Sequence, residues 1–209
     1  MVAAMLARPV RSTIIVVAVL LAAGALWLWS RAGSSTPVSE ESALQTLRAA
    51  GGAERAGGAG VPRPGVYSYR QEGSERGGAG PLKVSRELPA TARLVVTPAA
   101  GGYGRELDLS EEHIEGVRMR VGPTGTHEVS RRTKVTFVGV GRDDRRTLHP
   151  QPLALPRALS PGRTWSGSYS AGGLPVSYRS TVLREEQVDV GGARLPALVI
   201  RSVARTGGP

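Results

Sequence analysis

Cysteine is absent from this 209-residue chain. No disulfide can brace it, so any exported part must be held together by its own core. Thiolate metal sites and cysteine nucleophiles are excluded as well. Asparagine is also missing, and Lys83 and Lys134 are the only lysines among 27 basic residues. Ala, Gly, Arg, Pro and Val are abundant instead, which is the usage of a very GC-rich genome. Aromatics make up 4% of the chain, with Phe137 the single phenylalanine. A dry face built with so few large rings is modestly filled.

Long apolar runs are lacking too, with one exception: Ser12 to Ser30, STIIVVAVLLAAGALWLWS. Ile14 to Trp29 holds no charged or strongly polar side chain. A bilayer-spanning helix needs about 17–25 predominantly apolar residues, and the stretch meets that length. In lipid every backbone polar group must be satisfied internally, so the run is expected to be helical despite its valines and isoleucines. Arg8 and Arg11 precede it. Positive charge is retained in the cytoplasm, so the short N-terminus faces in and the long C-terminal part faces out. Trp27 and Trp29 stand at the outer end, at the depth where amphipathic rings settle. A cleavable signal peptide is the competing reading, because Ala23-Gly24-Ala25 has the small-x-small form of a cleavage site. Its apolar region would usually be about 7–15 residues, and this one is longer, which favours an uncleaved signal anchor.

The net charge of +10 invites a nucleic-acid reading. Three arginines flank the apolar run, and the rest are interleaved with acids rather than gathered on one stretch. No nucleic-acid partner is expected. An exported basic domain would instead meet lipid headgroups or anionic wall polymers, with nonspecific long-range attraction.

Four regions follow. Residues 1–11 form a cytoplasmic N-terminus and 12–30 the transmembrane helix. Residues 31–64 form a flexible extracytoplasmic linker, and 65–209 a β-rich extracytoplasmic domain. Within the linker, Ser39 to Ala50 predicts one short helix. Ser39 can cap it, Glu40 and Glu41 occupy its first turn, Arg48 its last, and Gly51 can end it. From Val66 onward the period is two, the signature of half-buried strands. Val66–Arg70, Leu82–Arg86, Thr91–Thr97 and Arg105–Leu109 read as strands. Gln71–Pro81 reads as a polar, glycine-rich loop. His113–Val121 and Thr126–Val140 form a hairpin around Gly122-Pro123-Thr124-Gly125. Arg142–Gly162, with its four prolines, reads as an extended loop wrapping the domain. Strand pairs are expected around Gly172-Gly173 and Gly191-Gly192, since paired glycines suit primed hairpin turns. The fold class is mainly β: one curved antiparallel sheet, open and half-barrel-like. Ala193–Val203 should be its last strand, paired on one side only.

Catalytic patterns fail on inspection. His113, His127 and His149 lack the i, i+4 partner of a zinc helix and read as surface or loop histidines. Glu111, Glu112 and Glu115 near His113 look like a solvated strand start rather than ligands. Asp143-Asp144 among Arg142, Arg145 and Arg146 reads as a self-neutralising turn. Gly167–Gly172 has the wrong spacing for a nucleophile elbow, and Ser130–Lys134 is one residue too long for S-x-x-K. Gly139-Val140-Gly141 lacks the third glycine of a nucleotide fingerprint. No catalytic residue, metal site or cofactor is expected.

Trp165, Tyr169 and Tyr178 are the aromatic cluster outside the apolar run. Core packing is one role for them. The other is the mouth of an apolar groove on the concave sheet face, suited to acyl or polymer chains. The function read from these features is a non-catalytic envelope binding module for a lipid or cell-wall component. The alternative is a structural or protein-interaction partner at the C-terminal sheet edge, and the second alternative is a secreted protein freed by signal cleavage.

Several short stretches carry a resemblance. They are Gly65-Val66-Tyr67-Ser68-Tyr69, Glu87-Leu88-Pro89-Ala90-Thr91, Leu107–Val121, Pro161–Gly167 and Val188–Gly192. In these the region from Gly65 onward resembles uncharacterised actinobacterial membrane or secreted proteins. By fold-level analogy it is similar to curved-sheet envelope proteins of the lipoprotein-carrier type. Two departures stand out: the central cysteines of such proteins are missing, and they continue with further strands beyond the position of Pro209. The resemblance therefore implies a C-terminally truncated domain, and it transfers no catalytic residue.

Overall fold

A computed structural model describes residues 35–51, 61–79, 82–137 and 140–207. The apolar run Ser12–Ser30 and its flanking Arg8, Arg11, Trp27 and Trp29 lie outside the described residues. Among those described, no helix is long and apolar enough to cross a membrane.

Among the described residues one helix, α1 (Glu40–Ala49), precedes twelve strands. The strands are β1 (Gly65–Arg70), β2 (Ser74–Ala79), β3 (Leu82–Glu87), β4 (Thr91–Ala99), β5 (Gly102–Ser110) and β6 (His113–Gly122). They continue as β7 (Gly125–Phe137), β8 (Val140–His149), β9 (Leu153–Pro156), β10 (Thr164–Ala171), β11 (Leu174–Val190) and β12 (Ala193–Thr206). Ten strands make one antiparallel sheet in the order β1-β4-β5-β6-β7-β8-β10-β11-β12, with β9 on β7. The domain is mainly β, with one curved half-barrel sheet, as the period-two pattern predicts. β2 and β3 pair separately as a two-stranded flap.

The turns follow from chemistry. Gly172, Gly173, Gly191 and Gly192 all have φ between 57° and 84°. Consecutive positive φ values make the primed turns whose twist matches the flanking strands. The hairpin after Gly191-Gly192 pairs β11 with β12 over its whole length, and among the described residues β12 has no partner on its other edge.

Two stretches correct the sequence reading. Gln71–Pro81 was expected to be a loop, yet Ser74–Ala79 is strand β2, in register with β3. Gly77 serves close approach: a Cβ there would lie 2.7 Å from the Phe137 ring. Arg142–Gly162 was expected to be an extended loop, yet it holds β8 and β9. The run Arg142–Arg146 is tolerated in a strand because its charges pair. Arg132 reaches across to Asp143 with two bonds of 2.9 and 2.8 Å, and Arg142 and Arg146 both meet Asp144. Ahead of Leu148, β8 pairs only with β7 among the described residues, and its paired charges make that open edge resist association with other edges.

The sheet turns a corner at β7. Residues 130–137 of β7 pair with β8, while Gly125–His127 pair with β9. β8 leaves that edge and meets β10 through only Leu148↔Ala171 and His149↔Ser170. A strand that passes from one layer to the next in this way makes the bend of a rolled sheet.

The core is divided into three small clusters. Val95 and Val96 are neighbours on β4, and alternation sends them to opposite faces. Val95 packs under Ala43 and Leu47 of α1. Val96 packs with Tyr103 and Met119 on the other face. Leu148, Ala171 and Val176 form the third cluster at the corner.

α1 forms for the reasons read from its sequence. The Ser39 hydroxyl accepts the Ser42 N–H at 3.1 Å, with Glu40 and Glu41 in the first turn and Arg48 in the last. Burying Leu47 against the sheet contributes about 2 kcal/mol, which a helix this short needs in order to persist. The chain ahead of it is pinned as well. Ser35 donates from its N–H and its hydroxyl to the Glu87 carbonyl, at 3.3 and 2.6 Å. Thr36 accepts the Glu111 N–H and donates its own to the Glu112 carboxylate.

Asp108 on β5 is 4% exposed, and its Oδ1 has no hydrogen-bond partner. Burial, reinforced by the nearby Glu106 charge, pushes its carboxyl up to about 7. The folded state therefore holds this proton more tightly than the unfolded chain does. Stability from this group is fullest below the unfolded pKa near 4 and declines as pH rises toward 7. Asp108→Asn should raise stability by about 1–3 kcal/mol at pH 8, after allowance for solvent screening. The gain should shrink toward zero at pH 4, as read by paired urea titrations.

Candidate functional site

Side chains of β7 and β12 line one common cleft although three strands separate them in the sheet. The sheet therefore curls toward this face. β7 contributes Arg131, Thr133 and Val135, and β8 contributes Arg142, Asp144 and Arg146. The floor is apolar: Leu148, Ala171 and Val176 from the corner cluster, with Tyr169 beside them. The volume is about 510 Å³. A second cleft of about 490 Å³ lies on the same face beneath β1, β4, β5 and β6. Ala92, Leu94, Leu107, Leu109 and Val117 dominate it. Arg131 borders both clefts. Each volume lies within the roughly 300–1,000 Å³ of small-ligand sites.

The rim is ordered by ion pairs. Arg131 grips Glu128 with a two-pronged contact of 2.9 and 3.0 Å. That hydrogen bond holds the guanidinium pKa above its ordinary value, against the opposing effect of burial. Arg146 donates twice to Asp144 Oδ2, at 2.6 and 3.1 Å, and Arg142 donates to the same oxygen at 2.9 Å. The Arg146 bond leads in holding the Asp144 carboxyl below its usual range. Three arginines thus face two carboxylates above an apolar floor. Such a site suits a molecule with an anionic head and an apolar body.

The aromatic trio divides. Tyr169 lines the first cleft, and its ring centroid lies 6.0 Å from that of Tyr178. Trp165 and Tyr178 instead hold the backbone of β9. Trp165 Nε1 donates to the Leu153 carbonyl at 3.0 Å, and the Tyr178 hydroxyl accepts the Leu153 N–H at 3.1 Å.

A charged relay joins the flap to the sheet between the clefts. Arg86, 6% exposed, donates to Glu75 at 2.5 Å and to the Thr136 carbonyl at 2.9 Å. Its guanidinium also lies 4.7 Å from the Phe137 ring centroid. The other Glu75 oxygen meets His113 Nδ1 at 2.8 Å. His113 Nε2 meets Glu115 at 3.1 Å, and Glu115 accepts the Thr133 hydroxyl at 3.0 Å. His113 is therefore a largely enclosed histidine between two carboxylates, where the sequence suggested a surface one. Its key partner, Glu75, sits in the stretch read as a loop.

His127 bonds the Thr124 hydroxyl and the Gln151 carbonyl, and His149 is exposed. Among the described residues, no group of three or more His, Asp or Glu is arranged to hold a metal ion. Gly167 and Ser168 lie in the middle of β10 and form no elbow. Comparison of the chain with family models, characterised proteins and solved structures finds no match.

Glu75→Gln would leave the buried Arg86 charge without its partner. The expected cost is about 3–5 kcal/mol of stability by chemical denaturation, with early proteolytic nicking in the flap. Unchanged stability and protease resistance would show that the relay does not hold the flap.

Proposed function

We propose that this chain is a single-pass envelope protein whose β-domain is a non-catalytic binding module. Ser12–Ser30 is the signal anchor, the N-terminus is cytoplasmic and the domain is extracytoplasmic. The ligand is an anionic amphiphile, a lipid or an amphiphilic wall component. The kinship with actinobacterial envelope proteins belongs to the same proposal. The observation that carries the ligand class is the apolar-floored cleft with Arg131, Arg142 and Arg146 on its rim. Tyr169 is the aromatic wall of that cleft. The topology rests on Arg8 and Arg11 ahead of the apolar run and on Trp27 and Trp29 at its far end.

A second reading has its own observation. Among the described residues β12 is paired on one edge only, and Leu195 and Val203 on it are about half exposed. An open strand of this kind is a template for a partner strand, so a protein–protein role at that edge competes with ligand binding.

Two measurements test the main proposal. A phosphatase reporter fused after Pro209 should be active only outside the cytoplasm; activity of a cytoplasmic reporter there would overturn the topology. The second measurement is titration of the full chain with short-chain phosphatidylglycerol below its micelle concentration. It should bind, and Tyr169→Ala should weaken it about tenfold, as loss of a buried aromatic contact implies. Arg146→Ala should abolish the preference over the matching phosphatidylcholine. No binding, or equal binding of both headgroups by the unaltered chain, would exclude the anionic-amphiphile reading.

A further inference from the structure

In sequence, residues 31–64 read as a long flexible tether for the β-domain. The described structure sets a much shorter limit. Ser35 is already part of the folded domain: it is 8% exposed and its N–H and hydroxyl both bond the Glu87 carbonyl at the end of β3. Thr36 is held by Glu111 N–H and the Glu112 carboxylate in the β5–β6 turn. Five residue steps separate Ser30 from Ser35, so the chain between them reaches at most about 18 Å. Strand β7, with 13 residues, is about 43 Å long by the usual rise. The reach is less than half the length of the sheet.

We infer that the domain is clamped against the bilayer surface, with one defined end toward the lipid. This rests on the proposal that Ser12–Ser30 is an anchor. The end is the one where Glu87 ends β3, Ser110 and His113 flank the β5–β6 turn, and Phe137 and Val140 lie paired across β7 and β8. The partner is the lipid surface itself, and what sets the contact is chain length rather than attraction. The local charges are mixed, with Glu87, Glu111 and Glu112 beside Lys134 and Arg142, so no single-sign attraction defines the contact. Both clefts run to this end. Gln71 and Leu109 border one, with Gln71 Nε2 bonded to the Leu109 carbonyl at 2.7 Å, and Val135 and Arg142 border the other. A lipid-like ligand would therefore pass between bilayer and cleft over a short distance.

The β11–β12 ribbon runs the opposite way. β8 climbs away from the membrane end to Leu148, which pairs with Ala171, and Ala171 pairs with Leu174. From Leu174, β11 climbs a further 16 steps to Val190, about 53 Å along the strand.

The chain has no cysteine, so single labels can be placed cleanly. Val140→Cys and Val190→Cys replace residues 77% and 54% exposed, which leaves the fold intact. Each full-length variant is labelled with a fluorophore and reconstituted into phosphatidylcholine vesicles that carry a headgroup nitroxide. Quenching should be several-fold stronger at position 140 than at 190, and it should persist at 1 M salt, where the Debye length is about 3 Å. Inserting about 20 Gly/Ser residues between Ala32 and Gly33 adds a root-mean-square reach of about 25 Å and should remove the difference. Equal quenching at the two positions in chains that float with the vesicles would overturn the clamp and leave the anchor reading standing. Failure of the unaltered chain to float would overturn the anchor reading, and the clamp with it.

Discussion

Strand β7 serves three partners, and the shape of the protein depends on that. β6 takes one edge, and the other is divided between β8 and β9. Because β9 occupies the first residues of that edge, β8 must depart from it and carry the chain to β10. The join there is only two residue pairs wide. Such a join is too small to fix the angle between the halves. The clasp on Leu153 does that, since Trp165 and Tyr178 satisfy both of its backbone groups from β10 and β11. A buried strand needs those bonds made. The two aromatic residues are therefore fixed in place, and the concave face lies between the halves they lock.

A chain with one phenylalanine cannot fill that concavity. The apolar clusters stay small, and buried polar groups occupy the remaining interior. Arg86, Glu75, His113 and Glu115 form a hydrogen-bonded chain of polar side chains that ties the flap to β6 and β7. Such a network orders the parts it joins more than it stabilises them, because desolvating the charges consumes most of their mutual attraction. The two clefts are part of what stays unfilled.

The N-terminal strap has a similar logic. α1 buries Leu47 and Ala43 on one face of β4, opposite the Val96 cluster. β4 is thereby covered on both faces, and the segment from Ser35 to Thr36 becomes part of the fold. The short helix within the stretch read as a linker is the lid of a core cluster.

The sequence by itself determined the local features. The period-two pattern identified most strands and the single antiparallel sheet. The Gly-Gly pairs located two hairpins, and Ser39 through Arg48 marked the helix to within a residue at each end. These are legible because they depend on neighbours along the chain. Tyr169, singled out because aromatics are rare here, lines the first cleft. The tertiary structure alone decided what long-range pairing controls. β2 looked like a loop, because nothing near it in sequence shows that Gly77 makes room for the Phe137 ring, sixty residues later. β8 looked like a turn, because Arg132 neutralises Asp143 only once the two strands are in register. His113 looked exposed, because Glu75 comes from a different sheet. Arg131, Arg142 and Arg146 converge only once β7 and β8 are in register, which sets Arg131 opposite Arg146. A charge or a glycine has no intrinsic place in a strand; its cost depends on what lies across from it, and that is set by the fold.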